Sequence, residues 1–441
     1  MSDRSPSRAA PSAAQLIVII AAALAVAWCW IARIEHRRPA LFDVAPPVVA
    51  APLPPTVELL PALPPAGPEP IYLERFASRD DTRQVHASSA YWHQDRGLTA
   101  FWYGGSQEGA RDVSIYTSRL EGGHWSAPRV VVERKRIKAE LNRHVRKLGN
   151  ATVYQHPDGR LWLFFVSVSV GGWAGSAINL IESRDDGRSW SPARRLVTSP
   201  LLNVSTLVRS SAIRYSDGSI GLPVYHELAG KFSELLRISP NGRILAKVRL
   251  SSGRLALQPE LVATRPDHAI ALLRNAGPSP RRLLYTTTDD AGRSWSPPVA
   301  IAMPNPDAAI DLLAADDGRL LAVLNDNEFN RSRLTLAVSE NLGRDWRVIR
   351  TLEDRPETAG DGLVEYSYPW LLRAAIGEYH LLYTWNRTRI KHVQFNQAWL
   401  DQYRPRLGAA AGGLTALAPD GSPRRPDGAT PRPDERLTAA R

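Results

Sequence analysis

The sequence predicts an all-β chain that closes into a six-bladed β-propeller, and two periodic observations support this prediction. The first is an eight-residue pattern, Ser-Arg-Asp-Asp-Gly-Arg-Ser-Trp at 183–190, which returns with small changes at 288–295 and 339–346 and in weaker form at 118–125 and 239–242. The second is a set of six short turns rich in Asp and Gly, each between two alternating apolar runs. Such alternation is typical of half-buried strands joined as hairpins.

Both patterns recur at the interval expected for one propeller blade. The glycines in the five copies of the first pattern follow one another at steps of 65, 55, 50 and 51 residues. The six turns end at residues 97, 159, 218, 268, 318 and 377. A repeat of about 40–50 residues built from short strands indicates a propeller. Six turns therefore predict six blades.

The eight-residue pattern reads as a structural turn. Ser or Thr and the following Asp turn their side-chain oxygens onto the loop backbone, Gly supplies a positive φ, and Trp covers the hydrophobic layer beneath. The pattern resembles the Asp-box of the sialidase-like, or BNR-repeat, β-propellers. This resemblance covers nearly all of residues 78–398 and implies a sialidase-like six-bladed fold.

The last blade is predicted to take its fourth strand from the other end of the repeat. Residues 368–395 supply three strands but no Asp-box, whereas residues 71–76 read as a strand before the first hairpin. Closure of this kind leaves no raw sheet edge. We therefore expect the propeller to span residues 71–403.

Outside the propeller, the sequence predicts an N-terminal helix, a linker and a tail. The apolar run 16–32 would reach roughly 25 Å as a helix, the short end of a membrane span. Residues 1–38 are therefore predicted to hold a cytoplasmic N-terminus and a transmembrane or signal-anchor helix, with a cleaved signal peptide as the alternative. Eleven prolines in residues 39–70 predict an extended linker, and residues 404–441 predict a disordered tail. The propeller is then membrane-anchored and exported, to the periplasm or the cell exterior.

The composition argues against several classes of partner. Of the net charge of +11, residues 1–38 contribute +3 (five Arg against two acids) and residues 404–441 another +3 (seven Arg against four acids). Basic ends of this kind are typical of solvated tails, so we expect no nucleic-acid partner. The single Cys29 permits no internal disulfide, and no cluster of His and Cys has metal-ligand spacing. We therefore expect neither a metal nor a cofactor.

One face of the propeller is predicted to carry the ligand funnel. Strand directions alternate, so the Asp-Gly turns and the Asp-boxes share one face, and the opposite face receives the starts of the innermost strands. Those starts carry polar residues where a buried strand would prefer Val or Ile: His86, Asn150, Arg209, Gln258, a position within 305–308, and Tyr368. The loops on the same face add Glu108, Asp112, Glu227, Arg274, Arg331 and Arg387.

Four arginines of this set come from four different blades. A ring of the guanidinium groups of Arg209, Arg274, Arg331 and Arg387 is what a carboxylate-bearing sugar requires, and a phosphate or sulfate would satisfy the same ring. We expect an acidic oligo- or polysaccharide as partner and a monomeric protein.

The resemblance also implies site residues, since sialidases use three arginines on the substrate carboxylate, a Tyr nucleophile activated by a Glu, and an Asp acid/base. Tyr368, in Tyr-Pro-Trp-Leu, looks like the nucleophile. Arg274 is similar to the second arginine and Arg331 to the third. Glu108 and Asp112 lie in the loop that would hold the acid.

Two positions depart from the sialidase pattern. Gln258 stands where the activating Glu is expected, and an amide cannot act as a base. His86 stands where the first arginine is expected. Glu227 is a candidate replacement for the missing carboxylate, and a turn residue is the alternative interpretation.

These residues support three functions. The first is an exo-glycosidase on acidic glycans, with Tyr368 as nucleophile or proton donor, Glu108 or Asp112 as acid, and the arginines as a carboxylate clamp. The second is a uronate-directed lyase in which His86 and Tyr368 serve as base and acid, a reaction that some sialidase-like propellers catalyse. The third is a non-catalytic glycan-binding propeller.

Overall fold

The computed structural model describes residues 12–35, 40–44, 69–79, 82–199, 203–253, 255–355 and 364–404. Within these ranges, six antiparallel sheets of four or five strands follow one another. The innermost strands of neighbouring sheets contact each other in a ring that returns from the sixth sheet to the first. The chain therefore forms the six-bladed propeller that the sequence predicted.

The elements in chain order are as follows. Before the first blade stand α1 (Ala13–Glu35) and β1 (Tyr72–Phe76). Blade 1 contains β2 (Gln84–His93), β3 (Gly97–Gly105), β4 (Ser114–Glu121), β5 (His124–Trp125) and β6 (Arg129–Val132), and is followed by α2 (Arg134–Glu140). Blade 2 contains β7 (Lys147–Gln155), β8 (Leu161–Val168), a 3₁₀ turn (Trp173–Gly175), β9 (Ser176–Ser183) and β10 (Arg194–Arg195).

The remaining blades follow the same plan. Blade 3 contains β11 (Leu207–Val208), β12 (Ile213–Arg214), β13 (Ile220–His226), β14 (Phe232–Ile238) and β15 (Ile244–Arg249). Blade 4 contains β16 (Ala256–Ala263), β17 (Ala269–Asn275), β18 (Arg282–Thr288) and β19 (Val299–Pro304). Blade 5 contains β20 (Asp311–Ala314), β21 (Leu320–Leu324), β22 (Arg333–Ser339) and β23 (Arg347–Asp354). Blade 6 contains β24 (Tyr366–Arg373), β25 (Glu378–Trp385) and β26 (Arg389–Asn396), and α3 (Gln397–Asp401) follows it.

The N-terminal strand closes the ring, as the sequence predicted. Strand β1 pairs antiparallel with β26, from Tyr72 opposite Phe395 to Phe76 opposite Lys391. This pairing gives blade 6 its fourth strand and removes the open edge of β26.

The Asp-box copies form the turns that their residues predict. In the copy at 183–190, the Ser183 hydroxyl accepts from the Gly187 N–H at 2.8 Å, and Asp185 accepts from the Ser189 N–H at 2.9 Å. Gly187 has a φ of 76°, a conformation that glycine adopts without steric penalty. The copies at 288–295 and 339–346 repeat both bonds. These turns are held by local contacts.

The hydrophobic core lies between neighbouring blades. Strand β8 is buried along its whole length, because sheets cover it on both faces. Its side chains alternate between two clusters: Phe165 packs with blade 1 residues such as Phe101, and Phe164 packs with blade 3 residues such as Leu222. Each sheet is therefore stabilised by burial against both of its neighbours.

The apolar run at the N-terminus forms helix α1, but the predicted transmembrane span is not found. No helix in the described part of the chain is long and apolar enough to cross a membrane.

One part of the predicted linker is docked on the propeller instead of extending away from it. Phe42 is 2% exposed and packs with Tyr215, Ala269 and Ala291 between blades 3 and 4. Its N–H donates to the Pro266 carbonyl at 2.7 Å. An aromatic side chain in a Pro-rich segment therefore finds an apolar pocket, which corrects the prediction for residues 40–44. Most of the linker and nearly all of the predicted tail lie outside the described residues.

Candidate functional site

The innermost strands of four blades carry a bulge near their first residues. The strand register shifts between His86 and Ser89, Gly149 and Ala151, Leu257 and Glu260, and Ser367 and Trp370. Three residues within these bulges have a positive φ: Ala87 (50°), Gln258 (44°) and Tyr368 (52°). Bulges re-aim side chains, and non-glycine residues in this conformation are strained, as is common at functional sites. The polar residues at these strand starts are therefore held in special backbone positions.

One cavity of about 260 Å³ opens where these strands begin, and side chains from all six blades line it. Its polar and aromatic lining consists of His86, Glu108, Asn150, Trp173, Tyr225, Glu227, Lys231, Gln258, Arg274, Arg331, Tyr368 and Arg387. Val166, Leu207 and Leu257 complete the wall. Nine of the eleven site residues that the sequence predicts are in this lining.

The three arginines of the cavity come from blades 4, 5 and 6, and each is fixed by an acidic partner. Arg274 donates from Nε to Asp307 Oδ1 at 2.6 Å. Arg331 donates from Nη1 to Glu365 Oε1 at 2.9 Å. Arg387 donates from Nε to Glu365 Oε2 at 2.6 Å. These charge-assisted bonds hold the guanidinium groups in defined orientations around the cavity.

Glu365 is the shared anchor of two of these arginines. Its side chain is 4% exposed, and besides Arg331 and Arg387 it accepts from the Ser367 hydroxyl at 2.6 Å. Burial by itself would raise the pKa of Glu365, but His86 and the two guanidinium groups lower this pKa to about 2. Glu365 is therefore ionised at neutral pH, which is what the paired arginines require.

His86 and Tyr368 are in direct contact. Their ring centroids are 4.5 Å apart in an edge-on arrangement. Burial lowers the pKa of His86 to about 4, although Glu365 acts in the opposite direction. The imidazole is therefore neutral at neutral pH, and it is a weaker base than a free histidine. Its Nδ1 is buried and has no hydrogen-bond partner among the described residues.

Gln258 occupies the expected glutamate position with both ends of its amide engaged. Its Oε1 accepts from Arg274 Nη1 at 3.0 Å, and its Nε2 donates to the Tyr225 hydroxyl at 3.2 Å. Asn150 donates to the same hydroxyl at 3.2 Å. The amide therefore links Arg274 to a buried tyrosine, and no base is formed at this position.

Two carboxyl groups of the cavity have pKa values shifted in opposite directions. Burial raises the pKa of Glu227, and Lys231 and Arg274 offset only part of this effect. Burial would also raise the pKa of Glu108, but His86 and the ion pair with Arg387, at 2.7 Å, lower it. Paired groups with divergent pKa values are the usual basis of acid and base roles in one site.

Two predicted site residues lie outside the cavity. Arg209 is 3% exposed and donates from Nη1 to the buried carboxyl group of Glu260 in the centre of the ring, because its side chain points inward from the end of β11. Asp112 is exposed and accepts from the N–H and the hydroxyl of Ser106, at 2.8 and 2.9 Å, within its own loop. The predicted arginine ring therefore has three members, and Asp112 is held in a loop turn.

The sequence analysis missed several residues that shape the site. Lys231 and Trp173 lie in loops that were already placed on this face, but neither was singled out. Glu365 directly precedes the innermost strand β24. A charged residue at this position could have been recognised from the sequence as a candidate for the cavity. Asp307 has a φ of 57°, and its carbonyl accepts from Arg331 at 2.8 Å, which no sequence pattern indicates.

The described part of the chain contains no group of three or more His, Cys, Asp or Glu side chains that could hold a metal ion.

Several solved structures share the propeller fold that carries this site. Among solved structures, the Hadza microbial sialidase Hz136 superimposes with a TM-score of 0.60 at 15% identity over 74% of this chain and 68% of the sialidase. The intramolecular trans-sialidase from Ruminococcus gnavus gives 0.54 at 12% identity, covering 75% and 98% of the two chains. The α-L-arabinanase of Penicillium chrysogenum gives 0.54 at 12% identity, covering 75% and 99%. At these identities the likeness shows the fold alone.

Sequence comparison gives a family but no close relative. No curated protein sequence matches the chain. The model of the BNR repeat-like domain matches residues 96–381, well over half of the chain, and these residues cover the Asp-box turns and most of the cavity. This chain therefore belongs to the BNR repeat-like domain family of sialidase-like propellers.

Proposed function

We propose that this protein is a glycosidase that binds an acidic sugar in the cavity. The observation that carries the proposal is the convergence of Arg274, Arg331 and Arg387, from three consecutive blades, on one enclosed space. Structural neighbours with this fold include sialidases and an arabinanase solved with arabinobiose, so the choice between a charged and an uncharged sugar depends on the residues of the site. Guanidinium groups are the usual partners of planar carboxylates.

All three of these arginines have donors to offer to a ligand. Arg274 uses Nε and Nη1 for Asp307 and Gln258, and Arg387 uses Nε and Nη1 for Glu365 and Glu108. The described residues place no acceptor on the Nη2 of either arginine. Arg331 instead donates through both terminal nitrogens within the protein. Each guanidinium has five N–H donors and uses two of them in these bonds, so we assign carboxylate binding to the three arginines together.

The carboxyl groups of the cavity supply the acid and base that glycoside hydrolysis needs. Glu227 holds its proton more readily than a free glutamate, so it suits the proton donor to the leaving group. The sequence suggested Glu108 as an acid, but Arg387 favours its ionised form, so Glu108 suits the general base instead. Hydrolysis by two carboxyl groups with separated pKa values is the common pattern among glycosidases.

Tyr368 remains our candidate for a nucleophile or proton donor at the same centre. Its ring lies against His86, and the Cζ atom of Arg331 is 6.0 Å from the ring centroid. The usual activating glutamate is an amide here, so ionisation of the phenol would depend on another group. His86, whose ring contacts that of Tyr368, is our candidate for the group that accepts its proton.

The test is a hydrolysis assay with purified protein on matched pairs of acidic and uncharged aryl glycosides. We expect release from at least one acidic member and none from its uncharged counterpart. Glu227→Gln should lower kcat about 10²- to 10⁴-fold, as loss of a general acid does. Glu234→Gln is the matched control, because burial also raises the pKa of Glu234 in the same blade but its side chain pairs with Lys247 outside the cavity.

Two outcomes would reject this proposal. Equal rates on charged and uncharged sugars would show that the arginines do not bind a substrate carboxylate. Full activity of Glu227→Gln would show that Glu227 is not the general acid. If Tyr368→Phe keeps its full rate, the phenol has no part in the chemistry.

A second candidate is a uronate-directed lyase, and the contact between His86 and Tyr368 favours it. A neutral histidine removes a proton beside a carboxylate, the tyrosine protonates the leaving oxygen, and the arginines neutralise the carboxylate. Elimination produces an unsaturated uronate that absorbs ultraviolet light, which hydrolysis does not. An increase in ultraviolet absorbance when the protein acts on a polyuronide would therefore show that the protein is a lyase and not a glycosidase. Tight binding without turnover of any acidic glycan would indicate a non-catalytic binding propeller.

Export and oligomeric state remain part of the proposal. Export to the periplasm or cell exterior would bring the cavity to extracellular glycans, and a fusion to a reporter enzyme that is active only after export tests it. Membrane attachment would be seen as retention of the protein in the membrane fraction. Size-exclusion chromatography with light scattering tests the predicted monomer.

A further inference from the structure

A fully buried ionic cluster lies at the centre of the ring, below the cavity. It consists of Arg209 from blade 3, Glu260 from blade 4 and Asp311 from blade 5, which are 3%, 1% and 1% exposed. Arg209 donates from Nη1 to Glu260 and to the Ile310 carbonyl, the latter at 2.8 Å. Buried ionic groups are weak contributors to stability, since apolar replacements are often neutral or stabilising. The cluster therefore calls for a role other than stability.

The cluster binds the backbone of β24 immediately after Tyr368. Arg209 donates from Nη2 to the carbonyl of Pro369, and the N–H of Leu371 donates to Asp311 Oδ2 at 2.6 Å. Strand β24 is innermost in its sheet, so no strand pairs with its inner edge. Buried backbone groups on such an edge require other partners. Arg209 and Asp311 supply them from two other blades.

These contacts coincide with the strained part of the strand. Tyr368 has a φ of 52°, and the ladder between β24 and β25 is interrupted between Ser367 and Trp370. Strain of this kind persists only where the surroundings over-determine the backbone. The Cζ atom of Arg209 also lies 5.8 Å from the centroid of the Tyr368 ring. The cluster therefore contacts both the backbone after the bulge and the face of the side chain that the bulge presents.

The protonation of the cluster agrees with this arrangement. Burial raises the pKa of Asp311 to about 6, whereas Arg209 and the backbone N–H groups of Leu371 and Leu312 favour its ionised form. Burial raises the pKa of Glu260 well above its ordinary value, and Asp311 raises it further. Glu260 is the carboxyl that holds a proton, so the cluster contains one cation and one anion. Asp311 and Arg209 are then the two charged groups that hold the strand.

We propose that Arg209 and Asp311 are positioning residues that hold the Tyr368 bulge, and thereby aim the phenol into the cavity. The expected effect on turnover rests on the proposed function, because it requires Tyr368 to take part in the reaction. The positioning itself is a property of the free protein. It is therefore measurable without a substrate.

The experiment places 3-fluorotyrosine in the full chain and follows the ¹⁹F resonance of Tyr368, identified as the one lost in Tyr368→Phe. We expect Asp311→Asn and Arg209→Lys to shift or broaden this resonance and to leave most of the others in place. Asp316→Asn is the matched control. Asp316 is also a buried blade 5 aspartate that accepts from a blade 6 N–H, that of Gly377 at 2.7 Å, but it does so at the turn face. It should leave the Tyr368 resonance unchanged.

Kinetics give the second measurement on any acidic glycoside that the wild-type protein cleaves. Misplacement of a reacting group by about 1 Å can lower a rate 10²-fold, so Asp311→Asn should lower kcat by about 10- to 100-fold with little change in KM. An unchanged Tyr368 resonance in both variants, or an equal change in Asp316→Asn, overturns the inference. If the wild-type protein cleaves no acidic glycoside, the proposed function fails, and the resonance alone decides on the positioning.

Discussion

The two faces of the propeller hold their carboxylates in different ways. On the turn face, Asp185 and Asp290 of the Asp-boxes accept from residues within four positions, as Asp290 does from the Ser294 N–H. On the funnel face, Glu365 pairs with Arg331 and Arg387, which are 34 and 22 positions away, and Arg387 reaches Glu108 across 279 positions. Asp185 and Asp290 thus stabilise their own loops, whereas Glu365 and Glu108 join blades. We expect changes on the two faces to have different consequences.

The largest expected effect is that of Glu365→Ala. This change leaves the guanidinium groups of Arg331 and Arg387 without their shared buried carboxylate, so we expect the free energy of unfolding to fall by about 3–5 kcal/mol. Urea denaturation followed by tryptophan fluorescence measures it. A loss as small as that of a box aspartate would mean that the network between blades is not a stabilising feature of the funnel face.

Arg274→Ala should have the next largest effect, on ligand binding. Loss of a charged hydrogen bond in an enclosed cavity should weaken binding of an acidic sugar by about 2–3 kcal/mol, or roughly 30- to 150-fold. Calorimetric titration with the acidic sugar and with its uncharged analogue measures this. Arg373→Ala is the control on the turn face, where Arg373 pairs with Asp316. If both variants bind alike, the funnel does not select for charge.

As the pH falls, the free energy of unfolding should first decrease through a residue of the funnel face, His86. The pKa of His86 is lowered from 6.5 to about 4 by burial, so the unfolded chain binds this proton at a higher pH than the folded chain does. The stability that depends on neutral His86 is present above pH 6.5 and is lost as the pH falls from there towards 4. We expect roughly 2 kcal/mol of loss between about pH 7 and pH 5 from this group.

The midpoints of urea denaturation at a series of pH values test whether the His86 contribution is lost at a higher pH than that of Glu365. His86→Gln should flatten the dependence between pH 6.5 and 4. For Glu365, whose pKa is lowered from 4.5 to about 2, the contribution persists above pH 4.5 and is lost only as the pH falls through 2. The same slope in wild-type and His86→Gln proteins would show that other groups control the acid response.

The smallest expected effect is that of Asp290→Ala in an Asp-box. It removes bonds to a neighbouring hydroxyl and to backbone N–H groups in an exposed turn, so we expect a loss of about 1 kcal/mol. Ligand affinity and turnover should not change. Reduced turnover at unchanged stability would show that the two faces are coupled through the blade.

The fold could be predicted because its signals are local and repeated. The turn at 183–190 contains its own donors, acceptors and glycine, so its structure follows from eight consecutive residues. Repetition then gave the number of blades, and the missing sixth box indicated closure by the strand at 71–76. The docking of Phe42 could not be predicted, because its pocket is built from residues of blades 3 and 4 that are distant in the sequence.

The site was predicted only as a set of polar residues that share one face. The sequence placed His86, Gln258 and Tyr368 at the starts of innermost strands, because the distance from a turn to the opposite face is fixed by strand length. The sequence could not separate Arg209 from Arg274. Both are arginines near strand ends, but one points to the central axis and the other to the cavity.

The sequence by itself therefore determined the repeat, the number of blades and the face that carries the polar residues, since each follows from spacing and turn chemistry within short segments. The tertiary structure decided which arginines share a cavity, which carboxylate each one pairs with, and how Tyr368 is aimed. These depend on bulges and on ion pairs between blades. Their partners are tens to hundreds of residues apart, so only closure of the ring brings them together.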